Sequence, residues 1–165
     1  MTDPIYINGF SVACAQGADA AAVEAAVFAD QPSPVAGMWP LISGQSVPVG
    51  RLAFELPDSL SGDTRTNRLV SHLLAGIGEA TAAAISVHGP ARVAVIVGSS
   101  TTGIDEATHQ LGVWRREGRL PDGFDMERQL LGDTAAHAAR MSGATGPCWT
   151  VSTACTSGAK ALAAG

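Results

Sequence analysis

Apolar and polar positions along the chain predict alternating helices and strands. From about Thr64 to Val87, Leu69, Val70, Leu73, Leu74, Ile77, Ala80, Ala84 and Ile85 recur at helical spacing, which predicts one long amphipathic helix ending at Gly89-Pro90. Arg92 to Gly98 follows as a β-branched run without alternation, the pattern of a strand covered on both faces at the centre of a parallel sheet. Helix, strand and small-residue turn in that order point to an α/β fold. Helices over about Asp105 to Arg116 and Met126 to Met141 come next, then a strand over Pro147 to Val151 and a helix over Ala159 to Ala164.

The first third is less regular. Ile5 to Ile7, stopped by Asn8-Gly9, predicts an opening strand, and Asp19 is placed to cap a helix carrying Val23, Ala26 and Val27 that Pro32 closes. Residues 31 to 62 are dense in proline and glycine and predict packed connecting loop, with at most a short strand near Val49 to Phe54.

Composition narrows the possible functions. At 165 residues, 46% hydrophobic and 15% charged, the expectation is one soluble globular domain over 1–165. The net charge of −5 and scattered basic residues argue against nucleic acid as a partner. No apolar run reaches the roughly 20 residues a bilayer demands, and Met-Thr-Asp-Pro does not begin like a signal peptide, so the expectation is a cytoplasmic protein without a membrane partner. Three cysteines fit a reducing compartment, where a special cysteine is catalytic rather than bridged.

Cys155 stands out by position. A strand turning sharply into a helix presents the turn at the sheet edge, beside the unpaired N–H groups and positive dipole end of the helix. A thiol there ionises more easily, and the same N–H groups can steady an oxyanion. Ser152 or Thr153 is placed to cap that helix, and its Gly and Ala surface implies a buried central helix that other backbone can approach closely. Position alone leaves two readings of Cys155, a reactive thiol and an inert buried cysteine. Cys14 and Cys148 sit in or beside apolar segments and read as small hydrophobes. His72, His88, His109 and His137 have no metal-ligand spacing and read as ordinary histidines, His137 being the one that could approach Cys155 as a base. The loop Gly98 to Gly103 lacks both the Gly-x-Gly-x-x-Gly and the Gly-Lys-Ser/Thr patterns, which excludes a nucleotide site.

The run Gly146-Pro147-Cys148-Trp149-Thr150-Val151-Ser152-Thr153-Ala154-Cys155-Thr156-Ser157-Gly158 resembles the nucleophile segment of the elongating β-ketoacyl-acyl-carrier-protein synthases. Tyr6 to Phe10 looks like that family's opening strand and turn, and Arg92 to Gly103 is similar to its central strand and small-residue loop. The resemblance implies the amino-terminal half of a thiolase-like layered α/β/α/β/α architecture, with a mixed, mainly parallel sheet and a buried nucleophile helix. It implies that Cys155 takes an acyl group from acyl carrier protein, and that decarboxylative Claisen condensation with a malonyl unit follows without metal or other cofactor. It also implies that Thr101 borders the acyl tunnel, as a substrate-binding residue.

The family's two His residues and Lys for decarboxylation match no position here. The chain ends at Gly165 within the nucleophile helix, so the expectation is a truncated domain from a chain of about 400 residues, homodimeric or heterodimeric when full length. Two alternatives stand beside this reading. One is a thiolase acting on coenzyme A esters; the other is a non-catalytic partner subunit, against which the retained Cys155 argues.

Overall fold

The computed structural model describes residues 5–30, 37–52, 54–57 and 63–165. The chain divides into two compact units, Met1–Glu55 and Leu56–Gly165.

In the first unit, helix α1 spans Ala20–Val27 and begins as predicted, with the Asp19 carboxylate accepting a 2.9 Å hydrogen bond from the Ala22 N–H. Pro32, expected to close it, lies outside the described residues. The predicted opening strand does not form: residues 5 to 12 join no ladder among the described residues, and Ile5, Tyr6, Ile7 and Phe10 are exposed. A strand is stabilised by its neighbour, and apolar alternation alone cannot supply one.

The proline-rich stretch holds more order than predicted. Strands β1 (Gly37–Pro40) and β2 (Ser46–Val49) pair antiparallel, Gly37 opposite Val49 and Pro40 opposite Ser46. The Leu41 N–H donates to the Gln45 carbonyl at 2.7 Å, and Gly44 turns the chain at φ +83°, a left-handed conformation that glycine adopts without penalty. The strand expected near Val49 to Phe54 is therefore an earlier one, ending at Val49.

In the second unit, the predicted long helix is two. α2 (Arg65–Gly76) and α3 (Gly78–His88) turn by 74° at Ile77, where Gly76 and Gly78 flank the break. α2 starts firmly. Thr64 Oγ1 accepts from the Asn67 N–H at 3.2 Å, the Arg65 N–H donates to the Glu106 carboxylate at 2.6 Å, and the Arg68 guanidinium holds the Leu56 and Pro57 carbonyls.

Strand β3 spans Val95–Gly98 and strand β4 Cys148–Val151, with helices α4 (Ile104–Glu117) and α5 (Gly132–Ser142) between them and α6 (Ser157–Ala164) after. The helix predicted from Met126 starts six residues late. Asp125 instead braces a 3-10 turn over Glu127–Gln129, accepting from the Glu127 N–H at 2.9 Å and from Arg128 Nε at 3.1 Å.

β3 and β4 pair parallel, Val95 beside Cys148 and Gly98 beside Val151. Val95, Ile96 and Val97 are half-buried, less covered than an unbroken apolar run predicts. The buried apolar residues among those described are all alanines: Ala135 and Ala138 on α5, Ala144, and Ala161 on α6. Small side chains let α5 and α6 lie close on the strands, whereas larger ones such as Val87, Trp114 and Leu162 stay open to solvent.

Candidate active site

Parallel pairing sends both strands out of the sheet at one edge. The Ser99 N–H donates to the Val151 carbonyl at 3.2 Å, so the loop after β3 and the turn after β4 leave side by side at the carboxyl ends of the strands. Thr101 lies on the first and Cys155 on the second. Both are exposed.

The turn bearing Cys155 is shaped by its neighbours. Ala154 has φ +52°, the left-handed region in which a Cβ costs about 1 kcal/mol or more. Hydroxyl groups offset that strain. Ser157 Oγ donates to the Ala154 carbonyl at 2.6 Å and accepts from the Thr153 N–H at 2.9 Å, and Thr156 Oγ1 donates to the Thr153 carbonyl at 2.8 Å. The expected caps do not form. Thr156 occupies the cap position of α6 without a side-chain cap bond, and Ser157, two residues past the thiol, ties the elbow together.

The helix end beside the thiol is partly engaged already. The Thr156 and Ser157 N–H groups donate to the Thr153 and Ala154 carbonyls, and Lys160 N–H makes the first helical bond, to Thr156. Gly158 and Ala159 are the first-turn residues whose N–H groups have no acceptor within the helix, the donors an oxyanion would meet. α6 buries one face, Ser157 and Ala161.

Gly98 fixes where the elbow sits. A Cβ there would lie 2.6 Å from the Ser157 carbonyl carbon and 2.7 Å from Gly158 Cα, so only glycine lets the first turn of α6 rest on the end of β3. Gly146 does the same at the other end of β4, where a Cβ would lie 2.9 Å from the Ala91 carbonyl oxygen. Sequence reasoning missed these two roles and that of Ser157; the signal for Gly98 was a glycine closing a β-branched run.

Other candidates fall elsewhere. In the loop after β3, Ser99 Oγ donates to the Thr101 carbonyl at 2.6 Å, leaving the Thr101 side chain outward, while the neighbouring Thr102 is buried and shares a 3.0 Å hydrogen bond with Thr134 Oγ1 on α5. Cys14 is half-buried, and Cys148, expected among apolar neighbours, is exposed. His137 is engaged by Ser71 of α2 at 2.8 Å and by Asp63, just ahead of that helix, at 3.9 Å. Among the described residues, no three His, Cys, Asp or Glu side chains are grouped to hold a metal ion, and no single helix is long and apolar enough to cross a membrane.

Comparison with known proteins identifies the fold. A family model described as the N-terminal domain of beta-ketoacyl synthase matches residues 68–165. A chain from the complex of the ketosynthase ApeO with its chain length factor ApeC, from Xenorhabdus doucetiae, superposes with a TM-score of 0.81 at 29% identity. That match covers 94% of this chain and 41% of the other, so this chain spans less than half the length of its structural relative. No curated protein matches.

Proposed function

This chain belongs to the β-ketoacyl synthase family and has its thiolase-like fold, and from that premise we propose that it carries the acyl-accepting thiol of a condensing enzyme, at Cys155. The observation behind this reading is the elbow: an exposed thiol between a left-handed Ala154 and the amino terminus of α6, at the carboxyl edge of a parallel strand pair. The Cys155 thiolate attacks the carbonyl carbon of an acyl thioester on acyl carrier protein. Collapse of the tetrahedral adduct breaks the bond to the carrier sulfur, which leaves as thiolate and takes up a proton. The product is an acyl group held on Cys155, and in this reading Thr101, whose loop leaves the same sheet edge, borders it. Decarboxylative condensation with a malonyl unit, of the fatty acid or polyketide type, completes the proposed reaction in the cytoplasm. It needs the two His and Lys groups that match no position in this sequence.

A second reading rests on the structural relative, whose complex joins a ketosynthase to a chain length factor. This chain would then serve as the non-catalytic member of such a heterodimer. Mass spectrometry after incubation with acyl-carrier protein separates the two. Transfer predicts one acyl adduct on Cys155 that Cys155→Ala abolishes; a folded protein that takes no adduct favours the partner role. Faster transfer from an acyl coenzyme A than from the carrier would instead indicate thiolase-type chemistry.

A further inference from the structure

Three side chains that the proposed reaction does not use meet where α2 packs on α5. Ser71 Oγ lies 2.8 Å from His137 Nε2, and His137 Nδ1 faces Asp63 Oδ1 at 3.9 Å. The ring is buried, at 4% exposure, so its orientation is fixed by what surrounds it. A carboxylate on the Nδ1 side favours the tautomer with its proton there, which leaves the Nε2 lone pair to accept the Ser71 hydroxyl proton. Nucleophile, base and orienting carboxylate therefore stand in the order that acyl-transfer triads use, an arrangement recognised by geometry and not by chain order. The 3.9 Å gap is of the kind that closes when substrate binds.

Two further observations turn this cluster into a site. Ser71 is among the residues lining a cavity of about 350 Å³ whose other walls include Leu74, Ala75, Ala82 and Met141, a mostly apolar space of ligand-pocket size. Gly78 is on the wall of the same cavity and is the first residue of α3. The break at Ile77 thus creates a helix amino terminus at the cavity, with N–H groups that have no acceptor within the helix and can receive a developing oxyanion.

We propose that Ser71, His137 and Asp63 form a second nucleophilic site, independent of Cys155, which hydrolyses carboxylic esters with small apolar acyl groups. His137 Nε2 takes the Ser71 proton as Oγ bonds to the ester carbonyl carbon. The tetrahedral intermediate then breaks its bond to the leaving oxygen, which departs as an alcohol with the proton from His137. Water attacks the resulting acyl-serine, giving one proton to His137; release of the carboxylic acid returns that proton to Ser71 Oγ.

The test uses this chain with its three thiols alkylated beforehand, which silences Cys155 and keeps the outcome separate from the proposed condensation chemistry. A fluorophosphonate probe is expected to add once, at Ser71 by peptide mapping, and p-nitrophenyl butyrate to be hydrolysed. Ser71→Ala should abolish the adduct and lower hydrolysis at least roughly a hundredfold, and Asp63→Asn should slow it by about tenfold or more. An adduct mapping elsewhere, no adduct on the folded chain, or undiminished hydrolysis by folded Ser71→Ala overturns the proposal. Should Ser71→Ala fail to fold by circular dichroism, Asp63→Asn decides, since its carboxyl is part-exposed and an unchanged rate in that variant is equally fatal.

Discussion

The elbow at Cys155 and the polar seam between α2 and α5 both depend on short polar side chains, at opposite ranges. At the elbow, Thr156 and Ser157 bond to groups three or four residues away, and the residue they present is exposed. In the seam, Asn67 Nδ2 donates to Asp133 at 2.7 Å and Ser71 meets His137, each across 66 residues, while Thr102 of the loop after β3 meets Thr134 of α5 across 32. Thr64, Asn67, Thr134 and His137 are buried there. Local bonds shape a backbone around a reactive atom, whereas distant ones fix how helices pack. The elbow presents a reactive atom outward, whereas the Asn67–Asp133 bond of the seam holds helices together, and substitutions should tell those two roles apart.

Gly98→Val probes the point where the elbow rests on the sheet, because its side chain would drive the first turn of α6 off β3. A loss of about 3 kcal/mol is expected in urea unfolding, together with slower acylation of Cys155. Unchanged stability would mean that the elbow does not depend on the sheet beneath it. Asn67→Ala removes the bond to Asp133 and strands that carboxylate; about 2 kcal/mol should go, with Cys155 acylation unaffected once the protein is folded. A matching drop in acylation would show that seam and elbow are coupled. Ser157→Ala loses two local hydrogen bonds and is expected to cost only about 1 kcal/mol, yet to slow acylation several-fold by releasing the turn. If stability fell and the acylation rate held, the hydroxyl would be structural alone.

Where the fold was legible in the sequence, the reason is short range. α1 with its Asp19 cap, α4, β3 and β4 follow from caps and periodicity that lie within the elements themselves. The break between α2 and α3 was hidden because the apolar spacing continues through Ile77, and the pattern counts residues around a helix without seeing its axis turn. The late start of α5 was hidden by Asp125, whose side chain competes for backbone N–H groups that a helix would otherwise order. β1 and β2 were hidden by prolines and glycines that mark turns, though a hairpin edge tolerates both. Cys155 was legible because strand, turn and helix are contiguous there. The proximity of Ser71, Asp63 and His137 was not, since nothing in the spacing of residues so far apart says that α2 and α5 will touch.

The parallel pairing of β3 with β4 also bears on how the chain is made. Val95 must wait for Cys148, about 50 residues later, before its ladder can close, and a loop of that size forms slowly. At roughly 5–20 residues per second, a ribosome takes about 3–10 seconds to supply that length, during which Val95, Ile96 and Val97 emerge with neither partner strand nor covering helix. An unpaired β-branched strand held open for seconds is the kind of segment that chaperones bind and that aggregates when they are scarce. The architecture that brings the Thr101 and Cys155 loops to one edge therefore carries a liability in biosynthesis, concentrated in the few residues of β3.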